Sequence, residues 1–189
     1  MDEQDEVVFQ GILGEVVHSK QPNGKVFERY RRAPGTRLII VTAGGELVMT
    51  RERRKETGNV DLRLPGGKVC DSLEDYHMLL ESGRDLTAAA AEAAAKEGKE
   101  EVGLVLKNLR LVTKATAGAT VEWDLYYFMT HEYEVIEQGQ QLEDGEEIEV
   151  VKLAPQEIRQ AIANGQMHEW RSVGVLLGII LPELESEDA

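Results

Sequence analysis

The chain has 189 residues, enough for one domain and a short appendage, and 42% of them are hydrophobic, enough for a sizeable core. A formal net charge of −14 leaves little basic surface to neutralise a phosphate backbone and argues against a nucleic-acid binder. The single cysteine, Cys70, rules out an intramolecular disulfide, no apolar run reaches the length of a membrane span, and the acidic start is unlike a signal peptide. A cytoplasmic protein with no membrane or nucleic-acid partner is therefore expected.

In chain order, strand-like runs at 7–17 and 26–31 flank Gln21-Pro22-Asn23-Gly24-Lys25, a strong turn signal. Strands follow at 37–42, containing Leu38-Ile39-Ile40-Val41, and at 46–51, with Gly44-Gly45 as the turn between them. A basic run, Arg51-Glu52-Arg53-Arg54-Lys55, comes next, then a strand at 61–65 that runs into Leu64-Pro65-Gly66-Gly67-Lys68-Val69, whose glycines allow close backbone approach. The stretch 71–84 is too apolar for a disordered linker, with Leu73, Tyr76, Met78, Leu79 and Leu80. It reads as a short helix or lid, or as a contact surface for a second subunit. The alanine run Ala88 to Ala95 makes a helix at 85–102.

Strands are expected at 109–116, 122–131 and 147–153, and helices at 155–164 and 168–180, with Asn164-Gly165 as a stop. The aromatics between Trp123 and Met129 read as sheet core. The tail 183–189 is acidic and is expected to fray. Strands interspersed with helices place the chain in the α/β class. The four histidines show no ligand spacing, and no P-loop, zinc or nucleophile-elbow motif is present.

Glu97, Glu100 and Glu101 stand at i, i+3 and i+4 of the long helix, so their carboxylates share one face. Such a face is most simply solvated surface. Two features point further: Gly103 ends the helix just beyond, which puts the acids at the negative end of its dipole, and the glycine loop lies upstream. A divalent cation would turn the repulsion among the three into attraction, and ligands of oxygen alone suit Mg²⁺ or Mn²⁺. Gly98 interrupts the helix at a cost of about 1 kcal/mol relative to Ala, so Gly98→Ala is expected to stabilise the fold.

The glycine loop and acidic helix together resemble the Nudix hydrolase signature, G-x5-E-x7-R-E-U-x-E-E-x-G-U, with U apolar. Gly67 matches the leading Gly, and Glu97, Glu100, Glu101, Gly103 and Leu104 match the second half. Lys96 stands where Arg is usual, and Gly98 takes an apolar position. Positions 68 to 95 put 28 residues where the pattern has 13, and the isolated upstream Glu has no clean counterpart, Glu74 being one place off.

Over about residues 7 to 180 the order of elements is most similar to the ADP-ribose pyrophosphatase branch. The resemblance implies an α/β/α sandwich around a mixed sheet. It divides the chain into an N-terminal strand extension at 1–35, a hydrolase domain at 36–182 with an insertion at about 71–84, and a tail at 183–189. It implies a homodimer formed through the N-terminal strands. It also implies metal-assisted hydrolysis of a nucleoside diphosphate derivative, most simply ADP-ribose or a nucleotide sugar.

By the same resemblance, Glu97 and Glu101 would hold the metal, with Glu100 as a third ligand or as a base and the carbonyl of Gly66 or Gly67 as an added donor. Glu146, or Asp144, on the acidic loop 143–147 would handle the attacking water. Arg32, Arg51, Arg53 and Arg54 are the candidates for phosphate contact. Two alternatives stay open: a catalytically silent domain that senses a nucleotide sugar, and a hydrolase of nucleoside triphosphates or dinucleoside polyphosphates.

Overall fold

The computed structural model describes residues 5–53 and 58–187. The N-terminal run that alternates as one strand folds back on itself. Strands β1 (Asp5–Gln10) and β2 (Gly14–Lys20) pair antiparallel, with the Gly11 N–H donating to the Gly14 carbonyl at 2.8 Å across the reversal. A side chain at Gly14 would overlap the Tyr30 ring, so the strand resumes on a glycine. The next reversal falls where the turn signal places it. Gly24 takes φ 78°, and the Gln21 N–H donates to the Lys25 carbonyl at 2.8 Å, leading into β3 (Val26–Arg32).

Strand β4 (Gly35–Ile40) is buried along its whole length. Its period of two sends Ile39 into one core and Leu38 and Ile40 into another, the pattern of a central strand covered on both faces. Strand β5 (Leu47–Arg53) pairs antiparallel with β6 (Val60–Arg63). The insertion is a helix, α1 (Leu73–Glu81), opened by a capping box in which Ser72 and Asp75 satisfy each other's backbone N–H. Helix α2 (Leu86–Val102) is capped by Asp85, which accepts from the Thr87 and Ala88 N–H groups, and ends at Gly103 with φ 67°.

Two short strands escape the sequence reading. β7 (Leu104–Lys107) follows α2 directly and later pairs with β11 (Glu132–Val135); each has only four residues and a largely open face, so no alternation can establish itself. Between them come β8 (Arg110–Ala115), β9 (Val121–Glu122) and β10 (Leu125–Thr130). The expected strand 122–131 is thus divided: β9 joins β3 in the N-terminal sheet, whereas β10 lies between β4, parallel, and β8, antiparallel. Trp123 and Asp124 carry the chain from one sheet to the other.

Strand β12 (Ile148–Leu153) pairs with β5, and α3 (Pro155–Ala163) follows. The last expected helix runs on past its expected end: α4 (Trp170–Val175), a π-helical turn (Leu176–Ile180), then α5 (Leu181–Glu187). The wider turn comes just before Pro182, which has no N–H to give. The acidic tail, expected to fray, is helical through Glu187 instead. Leu184 is buried, and Glu185 accepts two hydrogen bonds from Arg159, both 2.8 Å.

One core, on the side of α3 to α5, gathers Ile39, Met49, Tyr127, Ile158 and Leu176; the other, under α2, gathers Leu38, Ile40, Ala94 and Phe128. The architecture is the expected α/β/α sandwich around a mixed sheet. No described helix is long and apolar enough to cross a membrane.

Candidate active site

Ala90, Ala94, Gly98 and Val102 are buried at every fourth position of α2, so one smooth stripe of small residues lies against the sheet. Gly98 is the tightest of these. A Cβ there would lie 2.6 Å from Leu106 Cδ1 and 2.8 Å from its Cγ. This contact works against the expectation that Ala stabilises the position, because the Leu106 side chain of β7 occupies the space that Ala needs and must shift.

That close seat carries the acidic face of α2 onto the glycine loop. Gly66 has φ 137°, and a Cβ would overlap the Thr36 carbonyl, so only glycine fits; its N–H donates to Glu101 Oε2 at 2.7 Å. A Cβ on Gly67 would overlap the Glu97 carboxylate, so this glycine lets Glu97 lie directly on backbone. The Gly67 carbonyl accepts from the Thr36 N–H at 2.9 Å and keeps one lone pair.

Burial, reinforced by the Glu101 and Glu100 carboxylates, pushes the Glu97 pKa up to about 7. Burial also raises Glu101, against the opposing pull of the Gly66 N–H and the Arg37 and Arg63 guanidinium groups. Glu100 pairs with Lys96 at 3.3 Å. Glu97, Glu100 and Glu101 line one cavity of about 150 Å³ with Gly67, Asp71 and Lys68.

Glu143 and Glu146 reach the same wall from the loop before β12, and Glu146 Oε2 also accepts the Glu143 N–H at 3.0 Å. Asp144 is exposed and off that wall. Glu143 was not singled out in the sequence, where nothing separates it from the other acids of its loop.

The donor set is carboxylate oxygen with one spare carbonyl lone pair, and at Glu97 it holds protons more tightly than free carboxylates do. Such a set fits a hard divalent cation. As the side chains stand, no three acidic, histidine or cysteine groups converge on one point among the described residues. Burial holds the Cys70 thiol above its ordinary value, which disfavours the thiolate a nucleophile needs.

The candidate arginines lie elsewhere. Arg51 pairs with Glu149 at 3.3 Å and Arg53 with Glu147 at 3.4 Å, beside the acidic loop but off the cavity wall. Arg32 stacks on Trp123, 4.4 Å from the ring centroid, with Arg171 on the same ring at 4.2 Å. Arg32 also lines a separate cavity of about 600 Å³, with Tyr76 of α1 and Tyr126. Arg54 lies outside the described residues. Arg37 was missed because it opens an apolar run and reads as a strand edge. It is 5% exposed, burial lowers its pKa to about 10, and it acts on both Glu97 and Glu101.

Comparison with known proteins shows the family. The chain is 23% identical over 165 residues to an ADP-ribose pyrophosphatase of Bacillus subtilis (strain 168), covering 86% of this chain and 81% of that protein. It shares its fold with a crystal structure of an ADP compounds hydrolase, with a TM-score of 0.68 and 21% identity over 98% of this chain and 94% of that one. The model of the NUDIX domain matches residues 31–172, a span that holds the glycine loop, the inserted helix and the acidic face of α2, and the chain therefore belongs to the Nudix family.

Proposed function

We propose that this Nudix pyrophosphohydrolase splits the pyrophosphate bond of a nucleoside diphosphate joined to a sugar, ADP-ribose or a nucleotide sugar, into a nucleoside monophosphate and a phosphorylated sugar. The observation that carries the reading is the seating of Glu97 and Glu101 on the backbone of Gly66 and Gly67, with Glu100 and Glu146 on the same cavity wall. The similarity to an ADP-ribose pyrophosphatase supports the choice of substrate class.

Glu97 and Glu101 would hold a divalent cation, Mg²⁺ or Mn²⁺, with Glu100 as a third donor. When bound, such a cation neutralises pyrophosphate charge and acidifies water. The chain's own part is to place and deprotonate the attacking water. Glu146 is the first choice for that base, since it lines the same cavity as the α2 acids from a separate loop.

The active unit is a homodimer. The N-terminal sheet leaves Phe9 64% and Ile12 88% exposed, with Val7, Val8 and Leu13 beside them, an apolar surface suited to a second copy.

A panel of ADP-ribose, nucleotide sugars, nucleoside triphosphates and dinucleoside polyphosphates, scored for released monophosphate with Mg²⁺, tests the reading. ADP-ribose or a nucleotide sugar should give the highest kcat/KM. Preference for triphosphates would overturn the substrate class, and binding without turnover would make the protein a sensor.

A further inference from the structure

The insertion adds a second chamber to the site. Between the inserted segment and the outer face of α2 lies a space of about 340 Å³, and it shares Lys68, Asp71 and Lys96 with the acidic cavity, so the two adjoin. Their charge differs sharply. Six carboxylates and two lysines line the acidic cavity, whereas the outer chamber has three cations, Lys68, Arg84 and Lys96, against Asp71 and Glu92.

Size points the same way. At about 150 Å³ the acidic cavity falls below the roughly 300–1,000 Å³ of sites that enclose small ligands, so the groups on both sides of a pyrophosphate must reach beyond it. The outer chamber lies within that range at its small end. It is also firmly built. The capping box fixes the start of α1, His77 Nε2 meets the buried Glu15 at 3.1 Å, and Arg84 bonds Glu92 across the chamber.

We propose that the insertion builds the subsite for the sugar half of the substrate, with Lys68, which lines both spaces, and Arg84, which exchanges its Glu92 partner for the ligand, holding oxygens of the phosphate next to the sugar. This rests on the pyrophosphatase reading and assigns specificity within it. In the balanced reaction the water oxygen bonds to one phosphorus, the bridging oxygen leaves with the other, and the protons of water pass to the products and solvent. The half released here is a sugar phosphomonoester, whose dianion a basic chamber favours and an acidic one repels. Arg84, at the end of the inserted segment, and Lys68, in the glycine loop before it, thereby become specificity-determining residues.

The test measures binding of ribose 5-phosphate, ribose and AMP by calorimetry, on wild type and on Lys68→Ala, Arg84→Ala and Arg84→Lys, beside turnover of ADP-ribose. Ribose 5-phosphate should bind far better than ribose. Each Ala variant should weaken ribose 5-phosphate on the order of tenfold, the loss of one charge-assisted hydrogen bond, and leave AMP unchanged, while Arg84→Lys keeps part of the affinity. Ribose 5-phosphate binding that is absent in wild type, or unmoved in both Ala variants, overturns the proposal even if turnover is normal. Loss of AMP affinity instead would assign the chamber to the nucleotide and overturn it equally. Wild type that binds as described but turns over no member of the substrate panel would sink the pyrophosphatase reading and leave the chamber intact.

Discussion

Glu97 lies against bare backbone, and its raised pKa makes a sign-definite prediction. The folded state favours its protonated form, so without a cation the stability it contributes is fully present below the ordinary value of 4.5 and is lost as pH rises through about 7. The upper bound is about 3 kcal/mol. Calorimetry on metal-stripped protein should show a melting temperature that falls between roughly pH 5 and pH 8, and Mg²⁺ should restore it at the upper end. A flat profile with no Mg²⁺ effect would contradict the assignment. Glu101→Gln keeps an acceptor for the Gly66 N–H but loses the charge, so the fold should survive while kcat/KM falls on the order of 10²-fold or more. Wild-type turnover in that variant would remove Glu101 from the metal site.

Helix α2 was legible in the sequence because its signals are local: an alanine run, an Asp at the start and a Gly at the end. What it packs against was not. Leu106 belongs to a four-residue strand with no readable period, so the obstacle to a side chain at Gly98 stayed hidden. Gly98→Ala gains about 1 kcal/mol of helix propensity but overpacks by about 1–3 kcal/mol, and a lower melting temperature is the expected sum. A higher one would mean that Leu106 moves aside at little cost. The loop 143–147 was legible as acidic, but its orientation depends on a turn closed by Gly145, with φ 82°, and by the Glu146 carboxylate. Glu146→Gln should lower kcat by roughly 10²–10⁴-fold with little change in KM, and Asp144→Asn, off the wall, should stay near normal. Steady-state kinetics that reverse the two would put the base on Asp144.

Across the molecule, the α/β class and the acidic face could be read from residue patterns and the layer order from the family resemblance, whereas which strands share a sheet could not. Trp123 shows why. It sits in one aromatic run that periodicity treats as a single strand, yet the chain changes sheets there, and two arginines from distant segments flank its ring. The N-terminal sheet likewise reads as strands, but only the fold shows Phe9 and Ile12 left open. Phe9→Asp with Ile12→Asp should convert a dimer to a soluble monomer in light scattering, and a dimer that persists would place the interface elsewhere. Hydrolysis itself is tested by the double variant Glu97→Gln/Glu101→Gln, assayed on ADP-ribose beside wild type with Mg²⁺ and with chelator. Wild type should release AMP and ribose 5-phosphate in equal amounts, only with the cation, and the double variant should release neither while remaining folded. Equal turnover by both proteins, or by wild type in chelator, would contradict a carboxylate-held cation at the centre of this enzyme.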